Sequence, residues 1–97
     1  MKAETILVEN FTSPNSPQRP VNRDKYEAVR APVLAVLPTA EPGLSYAELK
    51  AAVLPQLPET LFPGGDTSGW WLKCVQLDLE AKGLIVRHGK PLRWRRA

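Results

Sequence analysis

The sequence holds one histidine, His88, and one cysteine, Cys74. Nucleophilic catalysis needs a thiol activated by an adjacent base, and acid–base work needs a proton carrier positioned against substrate. The two residues fall on separate elements, Cys74 on an apolar helical stripe and His88 in a turn. Cys74 is expected to pack and His88 to be solvated, with phosphate contact as the functional alternative for the histidine. One cysteine and one histidine cannot complete a four-coordinate metal site. The stretch "FPGGDTSG" places glycines before a helix, a shape that can cradle phosphate. It lacks the P-loop lysine and follows no strand, so it is read as a turn and helix cap. Glu59 and Asp66 make no acid–base pair from spacing. The sequence therefore predicts no enzyme, no metal and no cofactor.

The other chemistry open to this chain is charge. Met1 to Asp66 carries six Lys/Arg against eight Asp/Glu, a balance of −2. Thr67 to Ala97 carries seven against two, a balance of +5, and together these make the net +3. No acid follows Glu80, whereas Lys82, Arg87, Lys90, Arg93, Arg95 and Arg96 do. Such asymmetry points to an anionic partner or to a solvated basic tail.

Positioning these cations requires a fold. "ETILVEN" reads as a strand around Thr5–Glu9, and a turn-rich loop with three prolines follows. Its natural partner lies near Arg19–Val21, with Pro20 on an edge because it lacks a donor. The strand's pairing is open among its own hairpin, the C-terminal sheet and a swap between chains. "NRDKYEAVRAPVLAVLP" reads as a first helix capped by Asn22, with an apolar face of Tyr26, Val29, Val33 and Val36 or Leu37. Pro32 predicts a kink or a later start. "PGLSYAELKAAVL" carries a capping box, Ser45 with Glu48, flanked by Leu44 and Leu49 at the hydrophobic-staple positions. A third helix, capped by Asp66, Thr67 or Ser68, ends at Gly83 in a left-handed C′ position. "LIVRHGKPLRWRR" then makes two short strands, with Leu92 and Trp94 on one face and Arg93 and Arg95 on the other.

The order strand, helix, helix, helix, hairpin predicts an α+β winged helix-turn-helix. It makes one domain over 1–97: N-terminal strand and Pro-rich loop (1–21), three helices (22–83) and wing (84–97). Hydrophobic residues are 43% and charged residues 24%, as in ordinary globular chains. No run approaches the ~18 apolar residues of a membrane span, and no secretory signal is read at the start. A lone cysteine fits a reducing compartment, so the expectation is cytoplasmic.

The junction "LEAKGLI", with Arg two residues on, resembles the helix-to-wing junction of many winged-helix domains. That resemblance implies Leu79 inside, Gly83 turning the chain, Leu84 and Ile85 in the core and Arg87 starting the wing. Over nearly its whole length the chain also looks like a family of short bacterial proteins of unknown function. "YEAVRAPVLAVLP", "AAVLPQLPETLFPGG" and "GWWLKCVQLDLEAKGLIVR" carry that likeness, which supports the winged-helix fold and supplies no activity.

The third helix poses the sharpest question, because adjacent Trp70 and Trp71 point about 100° apart. Trp71, Leu72, Val75 and Leu79 form a core face. Trp70, Cys74, Leu77 and Ala81 form a second apolar stripe, and Lys73, Gln76 and Glu80 form a polar strip between them. Intramolecular cover is the expectation for Trp70, with a partner interface and nucleic-acid stacking as alternatives.

Two functions from different classes follow. One is double-stranded DNA binding by a dimer. Arg87, His88, Lys90, Arg93, Arg95 and Arg96 would lie on phosphates, and Lys73 and Gln76 would face the groove. The other is protein–protein contact or homodimerisation, with Trp70 and the N-terminal strand at the interface.

Overall fold

The structure is a computed structural model that describes residues 4–13 and 15–97. The chain start at 1–3 and the loop expectation at Pro14 lie outside the described residues. The architecture is α+β, with three helices and two small antiparallel two-stranded sheets.

Strands β1 (Thr5–Val8) and β2 (Arg19–Asn22) pair with each other, which settles the open pairing in favour of a hairpin. Arg23 N donates to Glu4 O at 2.9 Å, so every second pair from there, Ile6–Val21 and Val8–Arg19, exchanges ladder bonds. Pro20 faces Leu7 at a non-bonded position, where its missing N–H costs no ladder bond.

Helix α1 spans Arg23–Val36, capped by the Asn22 side chain accepting from Lys25 N at 3.0 Å. It runs through Pro32 as one continuous helix that starts at Arg23, so the later start is not seen. Pro32 is itself buried, so its ring adds to the helix's packing face while removing one bond. Helix α2 (Tyr46–Val53) begins at the capping box. Ser45 Oγ accepts from Glu48 N at 3.1 Å, and Glu48 Oε1 accepts from Ser45 N at 2.9 Å. Short 3-10 turns at Leu54–Gln56 and Pro63–Gly65 lead to α3 (Ser68–Ala81). Thr67 takes the N-cap position in a left-handed conformation without a side-chain cap bond. The C-terminus is a Schellman turn with Gly83 at φ +75: Leu84 N donates to Leu79 O at 2.9 Å and Gly83 N to Glu80 O at 3.1 Å.

Strands β3 (Ile85–His88) and β4 (Arg93–Arg96) form the second sheet. Leu44 joins it by bonding Trp94 in both directions at 2.8 Å, so β4 lies between β3 and the segment preceding α2. This approach requires Gly43, at φ +79, because a Cβ there would sit 2.3 Å from the Trp94 carbonyl oxygen.

One core collects Tyr26, Val29 and Val33 of α1, Leu49 and Val53 of α2, and Trp71, Leu72, Val75 and Leu79 of α3. Ile85 and Trp94 close it from the second sheet, and Val8 and Val21 from the first. One core expectation fails here: Leu84 stays exposed, because it sits in the Schellman turn outside β3. Leu92, expected within the last strand, lies in the β3–β4 turn and is exposed too.

Candidate functional site

Which face of α3 is open decides what the molecule can contact. Two of the three residues of the polar strip read from the sequence, Gln76 and Glu80, turn inward, while Lys73 stays exposed. Gln76 is completely buried and donates through Nε2 to Glu80, whose side chain is 1% exposed. Arg87 of β3 reaches across to this carboxylate: Nη2 donates to Glu80 Oε1 at 2.9 Å and Nε to Oε2. The pairing holds the Arg87 guanidinium above its ordinary value, chiefly through the hydrogen bond to Glu80. Arg87 also lies over Phe11 and Trp94, its Cζ 5.0 and 5.6 Å from the ring centroids. Gln76 therefore cannot face a DNA groove, and Glu80 repels nothing outside. A buried carboxylate must be paired, and β3 supplies the partner.

A second buried carboxylate, unremarked in the sequence, ties the N-terminal hairpin to the helices. Asp78 of α3 is fully buried and accepts from the Tyr26 hydroxyl of α1. It also accepts from Glu9 N at 2.8 Å and lies 2.8 Å from Lys82 Nζ. Burial, then the bond to Asp78, pushes the Tyr26 hydroxyl above its ordinary value. The signal was available: Asp78 interrupts the apolar half of α3 one turn before Lys82, and Tyr26 brings a donor to the core face of α1.

With both acids turned inward, the apolar stripe of Trp70, Cys74 and Leu77 faces out. Trp70 is 50% exposed against 7% for Trp71, which corrects the expectation of intramolecular cover. The two rings meet edge to face with centroids 5.1 Å apart, so Trp71 in the core braces one side of Trp70. The stripe forms one wall of an open groove of about 460 Å³, and Val8 to Asn10, Pro17 and Arg19 contribute to the other. Cys74 is half-buried in it, and burial raises its thiol, which keeps it protonated and a weak nucleophile.

The cations of β3–β4 are largely engaged. Arg93 Nη1 donates to Glu48 Oε1 at 3.0 Å, the carboxylate that also closes the α2 capping box. The Ser45 backbone amide is the main cause that holds the Glu48 carboxyl below its ordinary value, with Arg93 a smaller one. Arg96 Nε donates to Leu37 O at 2.8 Å, and Arg95 Nη1 to Arg96 O at 3.3 Å. His88 Nε2 lies 3.9 Å from Glu41 on the surface. Lys90 is exposed in the turn, and Lys73 Nζ lies 5.3 Å from the Tyr46 ring centroid. The expected DNA-contacting residues are thus split: Arg87, His88, Lys90, Arg93, Arg95 and Arg96 lie on β3–β4 and its turn, Lys73 lies on the open face of α3, and Gln76 is inside.

Among the described residues no group of three His, Cys, Asp or Glu is placed to hold a metal ion. Among them, too, no helix is long and apolar enough to cross a membrane. A family model described as a family of unknown function (DUF6958) matches residues 5–94. The chain belongs to that family. The match takes in β1, β2, β3, all three helices and the first half of β4, so the groove and the two buried carboxylates lie within the family's unit. No curated protein and no solved structure matches the chain.

Proposed function

We propose that this DUF6958 member is a non-catalytic protein-interaction module of winged-helix type that docks a partner on the open apolar face of α3. One observation carries the reading: Trp70 stands half exposed at a groove, backed by a buried Trp71, while Gln76, Asp78 and Glu80 of the same helix are turned inward. A rigidly braced tryptophan beside a concave apolar surface is the kind of group that dominates binding energy at protein interfaces. Three helices followed by a two-stranded hairpin, with Leu44 bridged to β4, support the winged-helix assignment.

The test is selection of a random peptide library on the immobilised protein, with Trp70→Ala as the counter-screen. Sequences enriched on the wild type and lost on the variant are expected. Enrichment that ignores position 70 would remove the reading.

Duplex DNA is the second reading, favoured by the helix–hairpin order and by Lys90 exposed at the wing turn. Five phosphate contacts from Arg87, Lys90, Arg93, Arg95 and Arg96 would give a salt slope of roughly −4.5. If Arg87 and Arg93 stay on Glu80 and Glu48, only three phosphate contacts remain and the slope falls to roughly −2.7. Fluorescence anisotropy with a random duplex tests this. Tight binding with the steeper slope, flattened by Arg93→Ala/Arg95→Ala, would favour DNA over the protein partner.

A further inference from the structure

We propose that the occupant of the α3 groove is an amphipathic helix of another protein whose apolar stripe is flanked by acidic residues. This rests on the protein-interaction reading and names the partner's chemistry.

The spacing of the open stripe sets the shape of the occupant. Trp70, Cys74, Leu77 and Ala81 follow one another at intervals of four, three and four residues, and none of them is fully buried. That repeat is the seam by which one helix packs along another, each apolar side chain filling a hole between those of the partner. Its four positions span about 16 Å of helix axis, roughly three turns. The hairpin wall opposite, with Val8 and Pro17, keeps the groove concave, so a helix laid along α3 is gripped from its second side.

The charge around the stripe sets the partner's sign. Lys73 and Arg19 line the groove, and Arg19 is close enough to Cys74 to act on the thiol. Lys50 Nζ reaches within 3.9 Å of where a Cβ on Gly69 would stand, at the first turn of α3. Among the described residues, none of the three makes an ion pair, whereas Arg87 and Arg93 both do. Glu9 is the one acid lining the groove. Three cations without an ion pair therefore stand beside Trp70, while Lys25, Arg30, Lys90, Arg95 and Arg96 carry further unpaired charge elsewhere on the described chain.

The same three cations argue against a second copy of this chain. A two-fold contact centred on Trp70 would bring Arg19, Lys50 and Lys73 of each protomer against the identical patch of the other. Like charges held face to face disfavour association, and acidic residues at those positions favour it.

The experiment uses the full chain and synthetic helical peptides of about four turns. They carry one leucine stripe at heptad spacing, flanked by glutamate, glutamine or lysine. Labelled-peptide anisotropy is expected to rank glutamate above glutamine above lysine, with about tenfold between the first and last at low salt. Arg19→Glu/Lys73→Glu is expected to reverse the order, and Trp70→Ala to weaken all three. Circular dichroism melts confirm that the variants fold, and Lys50→Glu supplies a second charge reversal outside the groove lining. Equal binding of the glutamate and lysine peptides, lost in Trp70→Ala, overturns the acidic partner and leaves the interaction module standing. Failure of every peptide at ~100 µM, far weaker than a specific interface, overturns the helical occupant. Trp70-dependent self-association would place a second copy in the groove. Trp70-dependent capture of a random duplex would overturn both the partner and the module.

Discussion

Arg87 Nη2 of β3 lies 2.9 Å from Glu80 Oε1 of α3, and this pair decides which face of α3 the solvent meets. By drawing Glu80 inward with Gln76, it leaves Trp70, Cys74 and Leu77 outside. The apolar stripe is exposed because the buried acid has its cation.

Removing that cation tests the pair. Arg87→Ala strands a carboxylate that is 1% exposed and is expected to cost about 3 kcal/mol in urea unfolding. Arg93→Ala frees a solvent-exposed Glu48 and is expected to leave the midpoint nearly unchanged. Equal effects of the two substitutions would mean that Glu80 is not held as described.

Tyr26 gives a pH dependence with a definite sign. Burial first, then the Asp78 carboxylate, raises its hydroxyl above the ordinary 10.0 in the folded chain. A hydroxyl raised on folding stabilises fully below its unfolded value and loses that contribution as pH climbs toward the folded one. Unfolding midpoints measured from pH 9 upward are expected to fall more steeply for wild type than for Tyr26→Phe. Tyr46→Phe is expected to flatten the slope too, but by less, because burial alone raises that hydroxyl. Parallel slopes for wild type and Tyr26→Phe would contradict the buried contact.

Gly43 and Gly64 separate backbone strain from collision. Both have positive φ, so alanine at either is expected to cost roughly 1–2 kcal/mol of conformational strain. At Gly43 the new Cβ also meets the Trp94 carbonyl at 2.3 Å, whereas at Gly64 it meets open space. Gly43→Ala should therefore lower the melting temperature well beyond Gly64→Ala, and a reversed order would place the Leu44–Trp94 bridge in error.

The adjacent tryptophans should part company on truncation. Trp71→Ala empties a core position and is expected to cost about 3–5 kcal/mol. Trp70→Ala is expected to stay close to wild type in stability, and its loss should appear only in partner binding.

Local chemistry made much of this legible before the fold was known. The capping box at Ser45 and Glu48, the Asn22 cap and the Gly83 turn are each written in a few adjacent residues. Their positions hold in the structure. The core face of α3 follows from its period for the same reason. What the period does not carry is which of the remaining faces is covered. That depended on Arg87 finding Glu80 and on Tyr26 finding Asp78, contacts between residues 7 and 52 positions apart. A polar side chain at Gln76 predicts a solvent-facing position, and its burial follows from the acid beside it. Leu84 and Leu92 were assigned to strands whose ends fall one residue short of them.

The central claim is that the open face of α3 is the stripe led by Trp70, and acrylamide quenching of tryptophan emission tests it most directly. Trp70, at 50% exposure, should supply most of the quenchable emission, because Trp71 and Trp94 are at 7% and 4%. Trp70→Phe is expected to leave a blue-shifted spectrum that acrylamide barely reaches. An accessible fraction unchanged in Trp70→Phe, and abolished instead in Trp71→Phe, would mean that the helix presents its other face.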